Sequence, residues 1–521
     1  MTLDEIARRN AARFPRKLAV AMDDRELTWA QLDRRIDQLV NAFATAGIVA
    51  GDRLAVLLGN CPEYLEIYFA CARSGVIAVP LNYRLLPGEI VQILDRAEPT
   101  ALIFGSDYAT AVGAVRGSLP NPMIAWRIDT PGGEPPPTSS RELSYEAVLT
   151  AAPDTPRASQ AGDMDTLAVF FTSGTTGLPK GAMVSHLNLE ANGYNQCIAD
   201  GSRPDDVNLV ATPLYHMGAV FMAVTYMMLG CTQVILPQFA PIAWLGALQR
   251  HRATVSLLIS TMINAVLNEP HLADFDRSSL RLIFYGGGPM PRAVLERAIA
   301  VFRCGFTQGY GLTETLEATF LVAADHVVVG TDVQRQRLAS AGREAVGAEV
   351  RIVNEAGQDL PPGEVGEVLI RSRSVIAGYW RQPEETAQAI RGGWFYTGDL
   401  GYLDEDRYLF IVDRKKDMVI SGGVNIYTKE IESVLYAHPA VREAAVLGLP
   451  DDRWGEIVTA AVSLRPGADA SAAELIAHCG AELAGFKKPK RVVFLAELPK
   501  NPSGKILKRE IKRTLLETPA A

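Results

Sequence analysis

Cysteine is scarce and scattered: Cys61, Cys71, Cys197, Cys231, Cys304 and Cys479 are the six in 521 residues, and no C-x-x-C pair occurs. A disulfide framework needs density and a zinc site needs close spacing, so both are excluded; the thiols are expected to stay free in a reducing, cytoplasmic compartment. The seven histidines are equally dispersed. Excess positive charge is also missing, since 51 Lys and Arg stand against 59 Asp and Glu, a net charge of −8. That balance gives no bulk attraction to nucleic acid or anionic lipid. A signal peptide is absent as well: Asp4, Glu5, Arg8 and Arg9 interrupt the start before any apolar run, and the segment reads as an amphipathic helix.

Long hydrophobic runs are wanting too. Residues 207–249 carry no Asp, Glu, Lys or Arg, yet the apolar run Met217–Leu229 ends after 13 residues at Gly230-Cys231-Thr232-Gln233. A spanning helix takes about 20 apolar residues, so a buried helix followed by a buried strand is expected, with no integral membrane span. No repeat of solenoid period occurs. What is present is ordinary globular composition, 48% hydrophobic and 21% charged, over a length that suits roughly three to four folding units.

The first 115 residues alternate short apolar runs (DRLAVLLGN, VIAVPLN) with helical patterns such as Tyr64–Arg73, the signature of parallel α/β layers. Residues 117–163, with PGGEPPPTSS and APDTPRASQAGD, read as an irregular surface excursion. Alternation resumes from Thr166 to about Gly311. A β-rich section follows, with strands in EVRIVNEAGQDL and GEVLIRS and a hairpin in WFYTGDLGYLDEDRYLFIVDRKKD around Asp404–Arg407. After the tetrad Asp413-Arg414-Lys415-Lys416 the pattern becomes a compact βαβ-like tail. The expected fold class is therefore α/β: a large N-terminal domain of α/β layers with a β-rich subdomain, then a small α+β C-terminal domain.

Chemistry concentrates in a few segments. Thr172-Ser173-Gly174-Thr175-Thr176-Gly177-Leu178-Pro179-Lys180-Gly181 follows the apolar strand LAVFF. Its glycines permit the tight backbone that turns successive N–H groups toward an anion, its hydroxyls add donors, and Lys180 adds a point charge. The pattern suits a triphosphate but is not the common P-loop: Pro179 takes the place of the second Gly, and a strand, GAMVS, follows. Gly286-Gly287-Gly288 after the strand LIFY would let a flat ligand approach the backbone. Gln308–Glu314 pairs Tyr310, able to stack on a base, with Glu314, able to hold Mg²⁺. Tyr396-Thr397-Gly398-Asp399 offers a carboxylate suited to ribose hydroxyls.

In this order, and with Lys500-Asn501-Pro502-Ser503-Gly504-Lys505 near the end, these segments resemble the adenylate-forming superfamily of acyl-CoA synthetases, carrier-protein-linked adenylation domains and beetle luciferases. The resemblance implies an AMP-forming acid–thiol ligase using ATP, Mg²⁺ and coenzyme A on a small-molecule carboxylic acid. It gives residues 172–181 the role of phosphate loop, including Thr172, Ser173, Gly174, Thr175, Thr176, Gly177 and Lys180. Gly286, Gly287, Gly288 and Tyr310 fall to the adenine slot, Gly311 and Thr313 to the cofactor-binding set, Glu314 to the metal, and Asp399 and Arg414 to the ribose. Lys505, Glu314, Thr175 and His216 take catalytic positions, with Lys505 reaching the reacting carboxylate and α-phosphate. The resemblance further implies a domain of residues 1–413, a hinge at 414–416 centred on Lys416, and a mobile domain of 417–521. That domain would exchange Lys505 for the Gly422-Gly423 loop between the two steps. Val424 stands where the family often has Glu, and Thr428 where Pro or Ser is frequent. Homodimers are common in the family, and the residues do not fix an oligomeric state.

The regions resembling the acyl pocket, 212–228, 284–290 and 310–318, contain Tyr215, His216, Phe221 and Met290 and hold no Lys or Arg. A second carboxylate would be buried without a cation, so an apolar monocarboxylic acid is expected and dicarboxylates are disfavoured. A medium or long fatty acid is the first expectation, and a benzoate- or cinnamate-like aryl acid the second. No carrier-protein segment follows Lys505, so coenzyme A is the expected acceptor; a separate carrier protein is the alternative. Luciferase-like oxygen chemistry shares these motifs, and a non-catalytic nucleotide binder is disfavoured because Lys180, Glu314, Asp399, Arg414 and Lys505 are all intact.

Overall fold

The computed structural model describes residues 2–116, 123–130, 142–172, 179–288, 290–500 and 506–517. The chain divides into two compact units. One comprises Met1–Gly287, Val294–Val350 and Ile370–Phe395; the other Gly288–Ala293, Arg351–Leu369 and Tyr396–Ala521.

Two sheets organise the first unit. A seven-stranded sheet runs in the order Leu143–Ser144, Ile124–Ile128, Ala101–Gly105, Arg53–Leu57, Ile77–Pro80, Thr166–Thr172 and Lys180–Ser185. All its pairings are parallel except the last, where Thr166–Thr172 and Lys180–Ser185 are antiparallel. A nine-stranded sheet holds a parallel centre of Gly305–Leu312, Leu282–Gly286, Val255–Leu257, Val207–Val210, Thr232–Ile235 and Leu18–Met22. Antiparallel strands close both of its edges. Strands covered on both faces must be apolar throughout, which is why LAVL, LIFY and VNLV read as continuous runs.

The charge-free segment resolves into the buried helix Met217–Met228 and the strand Thr232–Ile235, as expected. Among the described residues no helix is long and apolar enough to cross a membrane. The amphipathic start is the helix Leu3–Arg13, anchored by the buried Arg73, whose guanidinium meets Asp4, Asp33 and Asp37 from two other helices. A cation so placed fixes three segments at once, and stripping its partners would leave a bare buried charge.

One expectation is corrected. The excursion 117–163 is not wholly irregular: Ile124–Ile128 is an interior strand of the seven-stranded sheet with Trp126 only 2% exposed, and Tyr145–Ala151 is a helix. Five residues between Pro- and Gly-rich flanks carry little periodicity of their own. The strand exists because Ala101–Gly105 offers a parallel edge on which it pairs.

The β-rich section carries the expected strands Ala348–Val353 and Gly366–Ser372 and the antiparallel hairpin of Trp394–Leu403 with Leu409–Arg414. In the second unit a five-stranded sheet orders Val424–Ile426, Val419–Ser421, Gly455–Leu464 and Val441–Asp451, with Arg491–Phe494 parallel to Gly455–Leu464. The helix Ala472–Glu482 lies between those parallel strands in sequence, so the tail contains the βαβ crossover its pattern announced. Arg414–Lys416 falls inside the second unit.

Candidate active site

In the first unit, Thr172 and Lys180 face each other across the ladder that ends Thr166–Thr172 and begins Lys180–Ser185. The Thr172 hydroxyl donates to the Lys180 carbonyl at 3.5 Å. Residues 173–179 are thus the connection of an antiparallel pair, although Ser173, Gly174, Thr175, Thr176 and Gly177 lie outside the described residues. Ser185 then caps the helix His186–Asp200, exchanging side-chain and backbone bonds with Asn188, which turns the strand into a helix within a residue.

Lys180 is not an isolated cation. Its ammonium lies 5.0 Å from the ring centroid of Tyr379, and the Tyr379 hydroxyl donates to Glu314 Oε1 at 3.0 Å. Tyr379 is 6% exposed. Its segment is sewn to the strand bearing Lys180: Trp380 N–H donates to the Gly181 carbonyl at 2.7 Å and Met183 N–H to Gly378 at 3.0 Å. Burial first, then the Glu314 charge, pushes the Tyr379 hydroxyl far above the usual phenol range, so it is a fixed donor. Tyr379 thereby joins two residues distant in sequence, a link that sequence reasoning missed; a Gly-Tyr-Trp run after apolar residues reads as core.

Glu314 sits on the turn between Gly305–Leu312 and Leu316–Leu321. The turn is pinned by Ile376 N–H to the Glu314 carbonyl at 2.9 Å, Leu312 N–H to Thr315 Oγ1 at 3.0 Å, and the Ser374 hydroxyl to the Thr315 carbonyl at 2.8 Å. Leu316 adopts φ +51, an uncommon region for a non-glycine residue, of the kind held where surrounding structure demands it. Thr313 and Gly311 are half-buried on this turn, and Gly311 is obligatory because any Cβ would run into the Leu316 carbonyl.

The three-glycine segment serves two purposes. A Cβ on Gly286 would lie 2.6 Å from the carbonyl of Gly309, its partner in the parallel ladder, so this glycine lets two strands approach. Gly287, at φ +74, and Gly288 are exposed with nothing within 4 Å of a Cβ, leaving bare backbone. Tyr310, half-buried, is on the strand next to Gly286. Gly288 and Met290 belong to the stretch counted with the second unit.

His216 caps the helix Met217–Met228, its Nδ1 accepting from Gly218 N–H at 3.1 Å. Its side chain is exposed, yet desolvation holds its pKa below the usual imidazole value. With its pKa lowered in this way, the ring is neutral at pH 7. Nearby elements bring aromatic rings together: Tyr215 with Tyr83 at 5.1 Å, Phe221 with Phe284 at 5.9 Å, and Phe284 with Phe320 at 6.4 Å, all edge-on.

In the second unit, Asp399 and Arg414 are direct partners across the hairpin and form an ion pair of 2.6 Å, with Asp399 only 2% exposed. The neighbouring Asp413, also buried, accepts from the Thr428 N–H and, at 2.9 Å, from its hydroxyl, holding the start of the helix Thr428–Ala437. Thr428 therefore has work that a proline could not do, because proline has no N–H. Lys508 donates to Thr428 Oγ1 at 2.7 Å and pairs with Glu432 at 2.7 Å. Lys416 is exposed, and Lys505 lies outside the described residues.

Gly422 and Gly423, at φ +59 and +80, make the tight turn between Val419–Ser421 and Val424–Ile426. Gly422 N–H donates to the Trp454 carbonyl at 2.8 Å, and a Cβ there would strike the Trp454 ring. Trp454 is 37% exposed, with the Lys490 ammonium 4.1 Å from its ring centroid.

A divalent cation fits Glu314. Its Oε1 is held by Tyr379, the residue keeps accessible surface, and among the described residues no group of three potential ligands forms a closed cage. Mg²⁺ commonly binds through one carboxylate plus phosphate oxygens and water.

Residues 7–380 match the AMP-binding enzyme family, and residues 430–505 match the AMP-binding enzyme C-terminal domain. The chain is 38% identical over 511 residues to a feruloyl-CoA synthase of Amycolatopsis sp, covering 97% of each. It is 33% identical to the long-chain-fatty-acid–CoA ligase FadD13 of Mycobacterium tuberculosis, covering 94% of this chain and 93% of the relative. The ATP-bound crystal structure of MatB from Rhodopseudomonas palustris superposes with a TM-score of 0.87 at 31% identity, covering 99% of both chains.

Proposed function

This chain belongs to the AMP-binding enzyme family and is an adenylate-forming CoA ligase that acts on a carboxylic acid with ATP and coenzyme A, and we propose that its acid is aryl. The observation that carries the aryl reading is the edge-on set Phe221, Phe284 and Phe320, within or beside the expected acyl regions. Aromatic side chains in these regions pack well against a flat ring, and the feruloyl-CoA synthase relative supports the same choice. A fatty acid is the second reading, favoured by the flexible Met217, Met222, Met227 and Met228 on the buried helix and by the FadD13 relative.

In the proposed first step a carboxylate oxygen attacks the α-phosphorus of ATP, the bond to the bridging oxygen breaks, and pyrophosphate leaves. In the second, the thiol of coenzyme A attacks the acyl carbon and AMP departs. Lys180 and the hydroxyls and N–H groups of residues 172–177 hold the phosphates. Glu314, oriented by Tyr379, would hold Mg²⁺, which when bound supplies charge neutralisation on the triphosphate. Tyr310 and the bare Gly287–Gly288 backbone receive adenine, and Asp399 with Arg414 the ribose. Lys505 steadies charge where carboxylate meets α-phosphate. His216, neutral, closes the acyl recess without adding a cation. The hinge at Lys416 moves residues 417–521 between steps, replacing Lys505 with the Gly422–Gly423 turn, where the exposed Trp454 and Lys490 offer a ring and a cation to the incoming cofactor.

The test is AMP release from Mg-ATP with aryl and alkyl acids, each with and without coenzyme A. Cinnamate-like acids are expected to give AMP and a thioester only when coenzyme A is present. Preference for alkyl acids overturns the aryl reading, and adenylate formed without transfer to coenzyme A overturns the acceptor.

A further inference from the structure

Three residues beyond Glu314, a second acid points inward. Glu317, on the strand Leu316–Leu321, is 8% exposed, and its backbone N–H donates to the buried Asn192 Oδ1 at 2.9 Å. Its Oε2 is sealed from water and has no hydrogen-bond partner, and the Asn192 Nδ2 is likewise without one. The carboxyl lies against Gly309: a Cβ built there would be 2.6 Å from Glu317 Oε2 and 2.5 Å from Phe284 Cζ. The acid thus adjoins Phe284 of the aromatic cluster. Flanking Leu316, Ala318, Thr307 and Phe284 are buried as well. Burial, and then the like charge of Asp200, lift the pKa of Glu317 to about 8. Neutral at pH 7, it can both donate and accept.

An unpaired buried carboxyl is costly unless something that binds there completes it. We propose that Glu317 is a specificity-determining residue that hydrogen-bonds a hydroxyl on the far end of the aryl acid; this rests on the CoA-ligase reading above. Glu314 lies on the turn, bound to Tyr379, whereas Glu317 lies on the strand after it, beside Phe284, so the two acids serve different surroundings. The same group explains why a pocket without Lys or Arg still carries a polar anchor, and why a purely alkyl acid would leave it unmatched.

The experiment measures kcat/KM of the whole enzyme for cinnamates bearing hydroxyl, methyl or hydrogen at ring positions 3 and 4. It compares wild type, Glu317→Gln and Glu317→Leu, with thermal melting of each. Wild type is expected to favour one hydroxyl isomer over its methyl and unsubstituted counterparts by at least about tenfold. Glu317→Leu should abolish or invert that ratio while still forming thioester with the methyl acid, and Glu317→Gln should keep part of it. A loss of folding lowers all acids together, whereas a lost anchor changes their ratio; should the Leu variant fail to fold, the Gln variant's ratio decides. Thioester formation with an unchanged ratio overturns the role of Glu317 alone. A wild type that forms no thioester with any cinnamate overturns the aryl reading, and this proposal with it.

Discussion

Lys180 and Glu314 are legible as candidate groups from residue type and position alone, yet what holds them together is Tyr379. Its ring faces the ammonium and its hydroxyl binds the carboxylate, so one buried side chain sets the spacing of a cation and the anion proposed to hold the metal. Tyr379→Phe keeps the ring and deletes the hydroxyl. The expected outcome is a roughly tenfold fall in kcat/KM for adenylation and a higher Mg²⁺ requirement, since a bond to a charged group is lost. Mg²⁺ titrations of AMP formation check this; an unchanged Mg²⁺ dependence would show that Tyr379 only packs. Glu317 was missed for a different reason. In LEATFL an acid between apolar residues reads as the solvent side of a half-buried strand, and only the neighbouring sheet and the helix His186–Asp200 cover that side.

Elements explain where these residues stand. The antiparallel pair of Thr166–Thr172 and Lys180–Ser185 ends an otherwise parallel sheet, and the segment proposed to bind phosphate connects the two strands. The hairpin of Trp394–Leu403 and Leu409–Arg414 puts Asp399 opposite Arg414 by register, so the pair proposed to hold the ribose is a property of one ladder. Directly after that strand comes Lys416. Replacing it with proline fixes φ and removes an N–H where the proposed swing needs torsional freedom. Lys416→Pro is expected to slow thioester formation at least about tenfold more than adenylation, measured by single-turnover release of pyrophosphate and of AMP; equal slowing of both would sink the hinge. The turn at Gly422 and Gly423, tied to Trp454, shows why that loop tolerates Val424: the side chain is exposed and the geometry rests on the glycines.

At the scale of the whole molecule, buried acids give stability a pH dependence. Asp200 and Glu317 are lifted to about 7 and about 8, in both cases by burial first. Each folded-state pKa is above its unfolded value near 4, so the folded chain holds protons that the unfolded chain releases. Their contribution is fully present below about pH 4 and is lost as pH rises through about 8. The melting temperature is therefore expected to fall between about pH 5 and 8, and Glu317→Gln, which cannot ionise, should flatten that slope. Melting curves of both proteins across this range check it; parallel slopes would mean that Glu317 is ionised in the fold.

Sequence alone determined the layered α/β architecture, because strands buried on both faces must be continuous apolar runs and their connections must carry Gly, Pro and polar residues. It also marked the connection proposed to bind phosphate, Glu314, Asp399 and Arg414, whose expected chemistry depends on residue type and local spacing. The tertiary structure alone decided what lies far apart in the chain: that Ile124–Ile128 finds a sheet edge, that Tyr379 bridges Lys180 and Glu314, that Asp413 holds Thr428, and that Glu317 Oε2 is buried without a hydrogen-bond partner. Each of these depends on an environment supplied by residues tens to hundreds of positions away, and burial and unmet hydrogen bonds are properties of that environment, not of the residue that bears them.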